Sequence, residues 1–296
     1  IFEVVLGPDH PNVAVSLNNL ALLYDRQGRH SEAVSLFKRS LAIDEVSTGP
    51  DSTKVALSLS NLAGIYGNLG RYSDAELLQK RSLAIFEAAL GPDHPSVALG
   101  LDSLGENYNR QGRYSDAAPL HKRSLAINES TLGLDHPAVA RSLTNLAYAL
   151  ENQGRYSDAD PLYRRSLAIL ESTFGIDHPD VASGLNNQAM LYKNQGRFVD
   201  AAAHLERSLR IKEATWGLDH PSVALGLGNL SEVYFRQARH SEALDYIRRS
   251  TRVLRKRLDQ DVSSKSAGAE SERKGQRGYF EQHSQIAYSL SEVEPT

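Results

Sequence analysis

Five histidines, His10, His94, His136, His178 and His220, each stand between an aspartate and a proline. Imidazole and carboxylate are both metal ligands, so the recurring Asp-His pair first suggests a metal site. Each pair, however, falls in a different copy of a repeat. Neighbouring helix pairs stack about 10 Å apart, too far for two imidazoles to share an ion at bonds of about 2 Å. The pairs therefore predict turns and helix starts, with no metal and no cofactor expected. A second pattern is the row Asn19, Asn61, Asn145, Asn187 and Asn229, broken by Ser103. An amide both donates and accepts, so such a row can pair with the N–H and C=O groups of an extended peptide whatever its sequence, or can bond neighbouring helices and stiffen a stack. A third is the Lys-Arg-Ser or Arg-Arg-Ser string at 38–40, 80–82, 122–124, 164–166 and 248–250. A basic stripe can track phosphates, but Glu32, Asp74, Asp116 and Asp158 lie one or two turns earlier on the same segments, and the formal net charge is -3. Solvated, salt-bridged faces are predicted instead, and no nucleic-acid partner is expected.

The chain has no cysteine, which excludes a thiol nucleophile, a disulfide or a cysteine metal site within it. No Gly-rich phosphate loop and no Ser/His/Asp arrangement outside the repeats is present. Catalysis needs an asymmetric site, so the chain is not expected to be an enzyme. No apolar run approaches the roughly 18 to 20 residues that span a bilayer, and no membrane partner is expected.

What positions these residues is a period. The Gly-x-Asp-His-Pro segment recurs from Gly91 to Gly133, Gly175 and Gly217, a spacing of 42 residues, with Gly7 before it and a degenerate copy at Gly49. Six units follow, 7–48, 49–90, 91–132, 133–174, 175–216 and 217–258, and residues 1–6 match the end of a unit, as expected for a truncated preceding copy. Such periodicity predicts identical supersecondary units stacked on their neighbours. Within 91–132, Pro95 marks a helix start. Val97, Leu101, Leu104 and Tyr108 follow at helical spacing, and Gly112 stops the helix. A second helix is expected from Ser115 as N-cap, with Asp116 in its first turn and Ala117, Leu120, Ser124, Leu125 and Ile127 on its buried face. Ala33, Ala75, Ala117, Ala159, Ala201 and Ala243 share one position, where a small side chain lets two backbones approach.

The framework Leu17, Leu20, Ala21, Tyr24, Gly28, His30 and Ala33 resembles the tetratricopeptide repeat family. The 42-residue spacing, the Gly-x-Asp-His-Pro linker and the string Leu17-Asn18-Asn19-Leu20-Ala21 are similar to its kinesin light chain class. The departures are Thr53 for the linker proline, Ala238 for the glycine and Gln188 for a core leucine. The resemblance implies an all-α, right-handed α-solenoid (superhelix) of stacked antiparallel helix pairs. It also implies that the asparagine row faces a concave groove and holds the backbone of a protein or peptide ligand.

Positions 15, 18, 19, 22 and 26 of the first unit form a second helical stripe. Across the copies it carries Asn18, Arg26, Asn68, Asp102, Glu106, Arg110, Asn152, Asn186, Lys193 and Asn194. Arg26, Arg110, Arg141 and Arg236 can take acidic side chains, while Glu106, Glu151 and Glu232 can neutralise them. The kinesin light chain resemblance inclines toward acidic ligand segments. Beyond the repeats, 259–278 is rich in Ser, Gly, Lys and Glu and is expected to be a flexible linker. Residues 279–294 return to helical spacing, as a capping or connecting helix. That stretch faintly resembles the join between bacterial kinesin-light-chain-like repeats and a caspase-like CHAT peptidase domain. The expected function is a non-enzymatic scaffold that binds an extended peptide. The alternative is a sensor or regulatory module of a larger enzyme, such as a CHAT-type peptidase, with its catalytic residues outside this chain. The expected compartment is the cytoplasm.

Overall fold

The computed structural model describes residues 6–263, with side chains as far as Lys256. The expectations for residues 1–5 and 264–296, including the amphipathic segment at 279–294, lie outside the described residues. Among the described residues there are twelve α-helices and no strand. The chain divides into two compact units, Ile1–Gln153 and Gly154–Thr296. The first contains α1 (Pro11–Arg26), α2 (His30–Thr48), α3 (Thr53–Asn68), α4 (Tyr72–Leu90), α5 (Pro95–Arg110), α6 (Tyr114–Leu132) and α7 (Pro137–Asn152). Here α1/α2, α3/α4 and α5/α6 are antiparallel pairs stacked in chain order, and α7 packs on α6. The second contains α8 (Tyr156–Phe174), α9 (Pro179–Asn194), α10 (Phe198–Trp216), α11 (Pro221–Arg236) and α12 (His240–Ser263), with α9/α10 and α11/α12 paired in the same way.

The linker sequence explains each helix start. Proline takes the first turn, where its missing N–H costs nothing. The preceding histidine is the N-cap: Nδ1 of His10, His94, His136, His178 and His220 accepts the amide N–H two residues on, at 3.1 to 3.3 Å. Where Thr53 replaces the proline, Ser52 caps instead, its Oγ accepting from the Val55 amide at 3.3 Å. The imidazoles of His178 and His220 also stack on Phe174 and Trp216, with ring centroids 4.6 and 5.1 Å apart. Among the described residues no cluster of three or more His, Asp or Glu side chains is placed to hold a metal ion.

The second helices begin differently from the sequence expectation. Ser115 is not the N-cap. Helix α6 starts at Tyr114, and the cap residue Arg113 makes no side-chain cap bond. After Gly112 takes φ +73°, the Arg113 amide donates to the Tyr108 carbonyl at 2.9 Å. This fixes Arg113 in place, so the helix resumes before Ser115 is reached. Its guanidinium lies over the Tyr108 ring at 4.0 Å and bonds Asp116 at 2.8 Å, a cation–π contact joined to an ion pair.

Stacking is set by small residues. The alanines of the Ala33 row are fully buried, as are Val55, Val97, Ala56 and Ala98 of the first helices. Backbones then come close enough for a buried serine hydroxyl of the second helix to donate to the first: Ser40, Ser82, Ser208 and Ser250 bond the carbonyls of Ala14, Ala56, Ala182 and Ala224 at 2.6 to 2.9 Å. The preceding arginine reaches the previous unit. Arg81, Arg123, Arg207 and Arg249 bond Glu45, Glu87, Glu171 and Glu213 at 2.5 to 2.7 Å. The Lys-Arg-Ser strings are thus salt-bridged both across units and along one helix: Lys80 pairs with Glu76 at 2.6 Å and Arg164 with Asp160 at 2.7 Å, each four residues earlier on the same helix. Asp74, Asp116 and Asp158 are held by Arg71, Arg113 and Arg155, three residues before each. Two further departures from the repeat have visible consequences. Gln188, buried where other copies have leucine, donates to the Tyr192 hydroxyl at 3.0 Å.

The other is Ala238, which keeps φ +59° at the place of the helix-ending glycine. A left-handed conformation costs an L-residue with a Cβ about 1 kcal/mol. Ala238→Gly is therefore expected to raise stability by about 1 kcal/mol, read as a higher urea midpoint at unchanged m-value.

Candidate functional site

The faces left over by the stack decide where a ligand can lie. In the first unit the outward stripe of the first helices is exposed at Val15, Asn19, Leu22 and Arg26 on α1, at Leu57, Gly64 and Asn68 on α3, and at Leu99, Ser103, Glu106 and Arg110 on α5. The stripe is less polar than the sequence pattern predicts. Val15, Leu57 and Leu99 occupy one repeat position and remain 59%, 56% and 51% exposed. Sequence reasoning missed them because it weighted the amides. Their signal was an aliphatic row on the face opposite the core.

Two recesses open along this stripe. One, about 170 Å³, lies between α3 and α5 and is lined by Gly64, Gly67, Asn68, Ser103, Glu106 and Arg110. There the Arg110 guanidinium donates to Glu106 at 2.7 Å and lies beside Gly67, at ordinary contact distance from where a Cβ would stand. The other, about 240 Å³, lies between α1, α2 and α3 and is lined by Val15, Asn18, Asp44, Lys54, Leu57 and Asn61 among others.

The asparagine row divides in behaviour. Asn61 is half-buried and donates to Asn18 Oδ1 of the previous unit at 2.9 Å. Asn229 donates to Asn186 in the same way at 3.0 Å. Asn19 is exposed, whereas Asn145 and Asn187 are half-buried. At Asn61 and Asn229 the amide bridges neighbouring helices and presents only its remaining capacity outward. Asn152 is exposed and donates to the Tyr148 carbonyl of its own helix at 2.8 Å, and Asn194 is exposed. Arg26 and Arg236 are exposed in the last turns of α1 and α11, where the helix dipole favours a cation. Arg141 approaches the buried Asp102 at 3.7 Å. On α9 and α11, Lys193 pairs with Glu232 at 2.9 Å.

Beneath the stripe, one repeat position carries Asp44, Phe86, Asn128, Leu170, Lys212 and Leu254. This position was not singled out in the sequence. Aligning the six copies and asking which inward position changes charge would have found it. Asp44 is 7% exposed and accepts from Ser58 at 2.7 Å. Lys212 is 8% exposed and makes no ion pair among the described residues. Burial pushes its amine below the ordinary lysine value of 10.5, because desolvation penalises the charged form. Elsewhere burial favours the protonated form of Glu76, but hydrogen bonds from Lys80, Tyr108 and Arg113 outweigh it and hold its carboxyl below the usual range.

The family model described as Tetratricopeptide repeat matches residues 1–45, 54–130, 101–172, 138–214 and 180–256. A candidate kinesin light chain from Podosopora anserina with nearly identical TPR-like repeats is 28% identical. Its crystal structure aligns over 70% of this chain and 97% of that one, with a TM-score of 0.62. BtubC (BKLC) of P. vanneervenii is 22% identical over 80% and 92% of the two chains, with a TM-score of 0.63. The apo form of RapI is 13% identical over 94% and 97%, with a TM-score of 0.68. These last two likenesses bear on the fold alone. No curated protein matches the chain. No helix among the described residues is long and apolar enough to cross a membrane.

The lowered lysine generates a pH prediction. Between the folded value of Lys212 and 10.5 the unfolded chain binds the extra proton, so this residue's cost to stability is full below that window and fades as pH rises through it. Lys212→Leu, which copies Leu170 and Leu254, is expected to raise the thermal midpoint at pH 7 by a few degrees. Melts repeated toward pH 10.5 should show the gain shrinking.

Proposed function

Because this chain belongs to the tetratricopeptide repeat family, we propose that it is a non-enzymatic scaffold that binds an extended segment of a partner protein along the outward stripe of its first helices. The observation that carries this reading is the row Val15, Leu57 and Leu99, aliphatic side chains more than half exposed at one position of three successive units. Leaving such groups in water forgoes about 25 cal/mol for each Å² that could be buried, and contiguous exposed apolar surface marks interaction sites. The flanking groups are suited to a peptide. Exposed Asn19 and Asn68 offer donors and acceptors to a main chain, while Arg26 and the Arg110–Glu106 pair supply charge at the edge.

The fold supports the same reading. The apolar faces of the helix pairs are consumed by stacking, and the groups that vary between copies lie on the stripe and just beneath it. Relatives in the kinesin light chain class share the framework. A binding role needs nothing beyond this geometry.

Leu57→Asp and Leu99→Asp place a charge on exposed positions and leave the core intact. Against peptides selected by the wild-type chain from a random extended library, each is expected to weaken binding at least tenfold, with a thermal midpoint within about two degrees of wild type. Undiminished binding by the double variant would sink the groove reading.

A further inference from the structure

The recess between the first two helix pairs is chemically unlike the rest of the stripe. Val15 on α1 and Leu57 on α3 line it together with Asn18, Lys54 and Asn61, and the buried Asp44 of α2 is part of the same lining. The carboxylate is 7% exposed and accepts one hydrogen bond, from Ser58 Oγ at 2.7 Å. A carboxylate has about four acceptor positions, and one hydroxyl leaves most of them unused. Burying such a group is costly unless it is paired. Asp44 makes no ion pair among the described residues, although exposed Lys54 lines the same recess.

The fold itself does not call for an acid here. The equivalent places hold Phe86, Asn128, Leu170, Lys212 and Leu254, and at the first four a further first helix packs on without an acid at that position. The Asp44 carboxylate is therefore free to be shaped by what enters the recess. Its depth and lining suit a cation carried on an apolar stem, since long basic side chains lay their methylenes along apolar surface and keep the charge at the tip. The Asn18–Asn61 bond at 2.9 Å lines the same opening, so amide groups stand where the main chain of such a ligand would pass.

We propose that this recess receives a lysine or arginine side chain of an extended partner segment, with Asp44 taking the charge and Val15 and Leu57 the alkyl stem. The inference rests on the peptide-binding reading above and deepens it. It gives the first junction a preference opposite in sign to the acidic segments that the family resemblance suggests.

The test uses the full chain and nonapeptide pools that each fix one position as Lys, Arg, Glu or norleucine. Norleucine carries the stem without the charge. Wild type should prefer the Lys and Arg pools over norleucine at least tenfold. Asp44→Asn, which keeps an acceptor for Ser58, should reduce that preference to near unity. A persisting preference in Asp44→Asn, or no preference in wild type, overturns the proposal. Should Asp44→Asn fail to fold by circular dichroism, the double change Asp44→Phe with Ser58→Gly transplants the Phe86 and Gly100 combination of the next junction and is read by the same criterion. Leu57→Asp separates the two levels: if it abolishes binding of all pools while Asp44→Asn changes nothing, the groove stands and the basic-residue assignment falls. If neither variant alters any pool, the groove reading falls as well.

Discussion

A buried serine hydroxyl of the second helix, donating to a carbonyl of the first helix of its own pair 26 residues earlier, fixes the helix pairs from which the stack is built; Ser40, Ser82, Ser208 and Ser250 make this bond, whereas Ser124 meets Ser142 of the next first helix. The acceptor carbonyl belongs to an alanine inside a helix, so the bond forms only where two backbones approach closely. The fully buried alanines of the Ala33 row and their valine and alanine counterparts on the first helices enforce that approach. A larger residue in either row would separate the helices and break the serine bond, leaving a hydroxyl buried without a partner at about 1 to 3 kcal/mol. With the backbones held at this spacing, the arginine beside each serine is placed to clamp the glutamate of the previous unit. Repeats without a shared globular core are thereby fixed through nearest neighbours alone.

The residues along the seam vary in a patterned way. Where the second helix carries Asp44 or Asn128, the next first helix supplies a serine, Ser58 or Ser142, that bonds it at 2.7 and 2.9 Å. Where it carries Phe86, Leu170 or Lys212, the partner is Gly100, Gly184 or Gly226. A Cβ at Gly100, Gly184 or Gly226 would stand 3.2 to 3.3 Å from a methyl of Leu83, Leu167 or Leu209, so each glycine relieves a tight approach to the leucine of the preceding helix. A second exchange supports His121, which is fully buried. Gly105 leaves room for its ring, where a Cβ would come within 2.6 Å. Its nitrogens meet Asp102 at 3.1 Å and Asn109 at 3.2 Å, while Ser142 donates to the other Asp102 oxygen at 3.2 Å. Polar groups thus enter this core as a linked set, in which Asn109 Oδ1 alone is left buried without a hydrogen-bond partner.

This pairing logic shows how far the sequence was legible. Helix starts at Pro95 and its equivalents, the glycine stops and the buried Val97, Leu101, Leu104 and Tyr108 face follow from local chemistry, and the structure has them in those places. Partners across the seam do not follow from local chemistry. The sequence pattern offers Asp74, on the same helix, to neutralise the string at 80–82, because local spacing reports nothing of what the previous copy brings near. Only the packing distance assigns Glu45 to Arg81. The asparagine row was ambiguous for the same reason, because one amide can face a neighbour or a ligand. At Asn61 and Asn229 the neighbour takes part of its capacity. Leu57 and Asp44 escaped notice because their meaning lies in exposure and depth, which periodicity alone does not report.

The spacing of the recesses constrains what can occupy them. Helix pairs stack at about 10 Å, and the first unit offers one recess at each of two successive junctions, of about 240 and 170 Å³, each the size of a single side chain. A β-strand advances about 3.3 Å per residue and turns alternate side chains to opposite faces, so residues three apart match the spacing but point opposite ways. A polyproline II segment advances about 3.1 Å per residue with three residues per turn, so every third side chain returns to the same face after about 9 Å. That conformation also leaves its backbone N–H and C=O groups unpaired, available to amides such as Asn19 and Asn68. Under the groove reading, the period of the protein and the period of the ligand are thus matched at one side chain in three, and a residue at any one recess acts on a single ligand position.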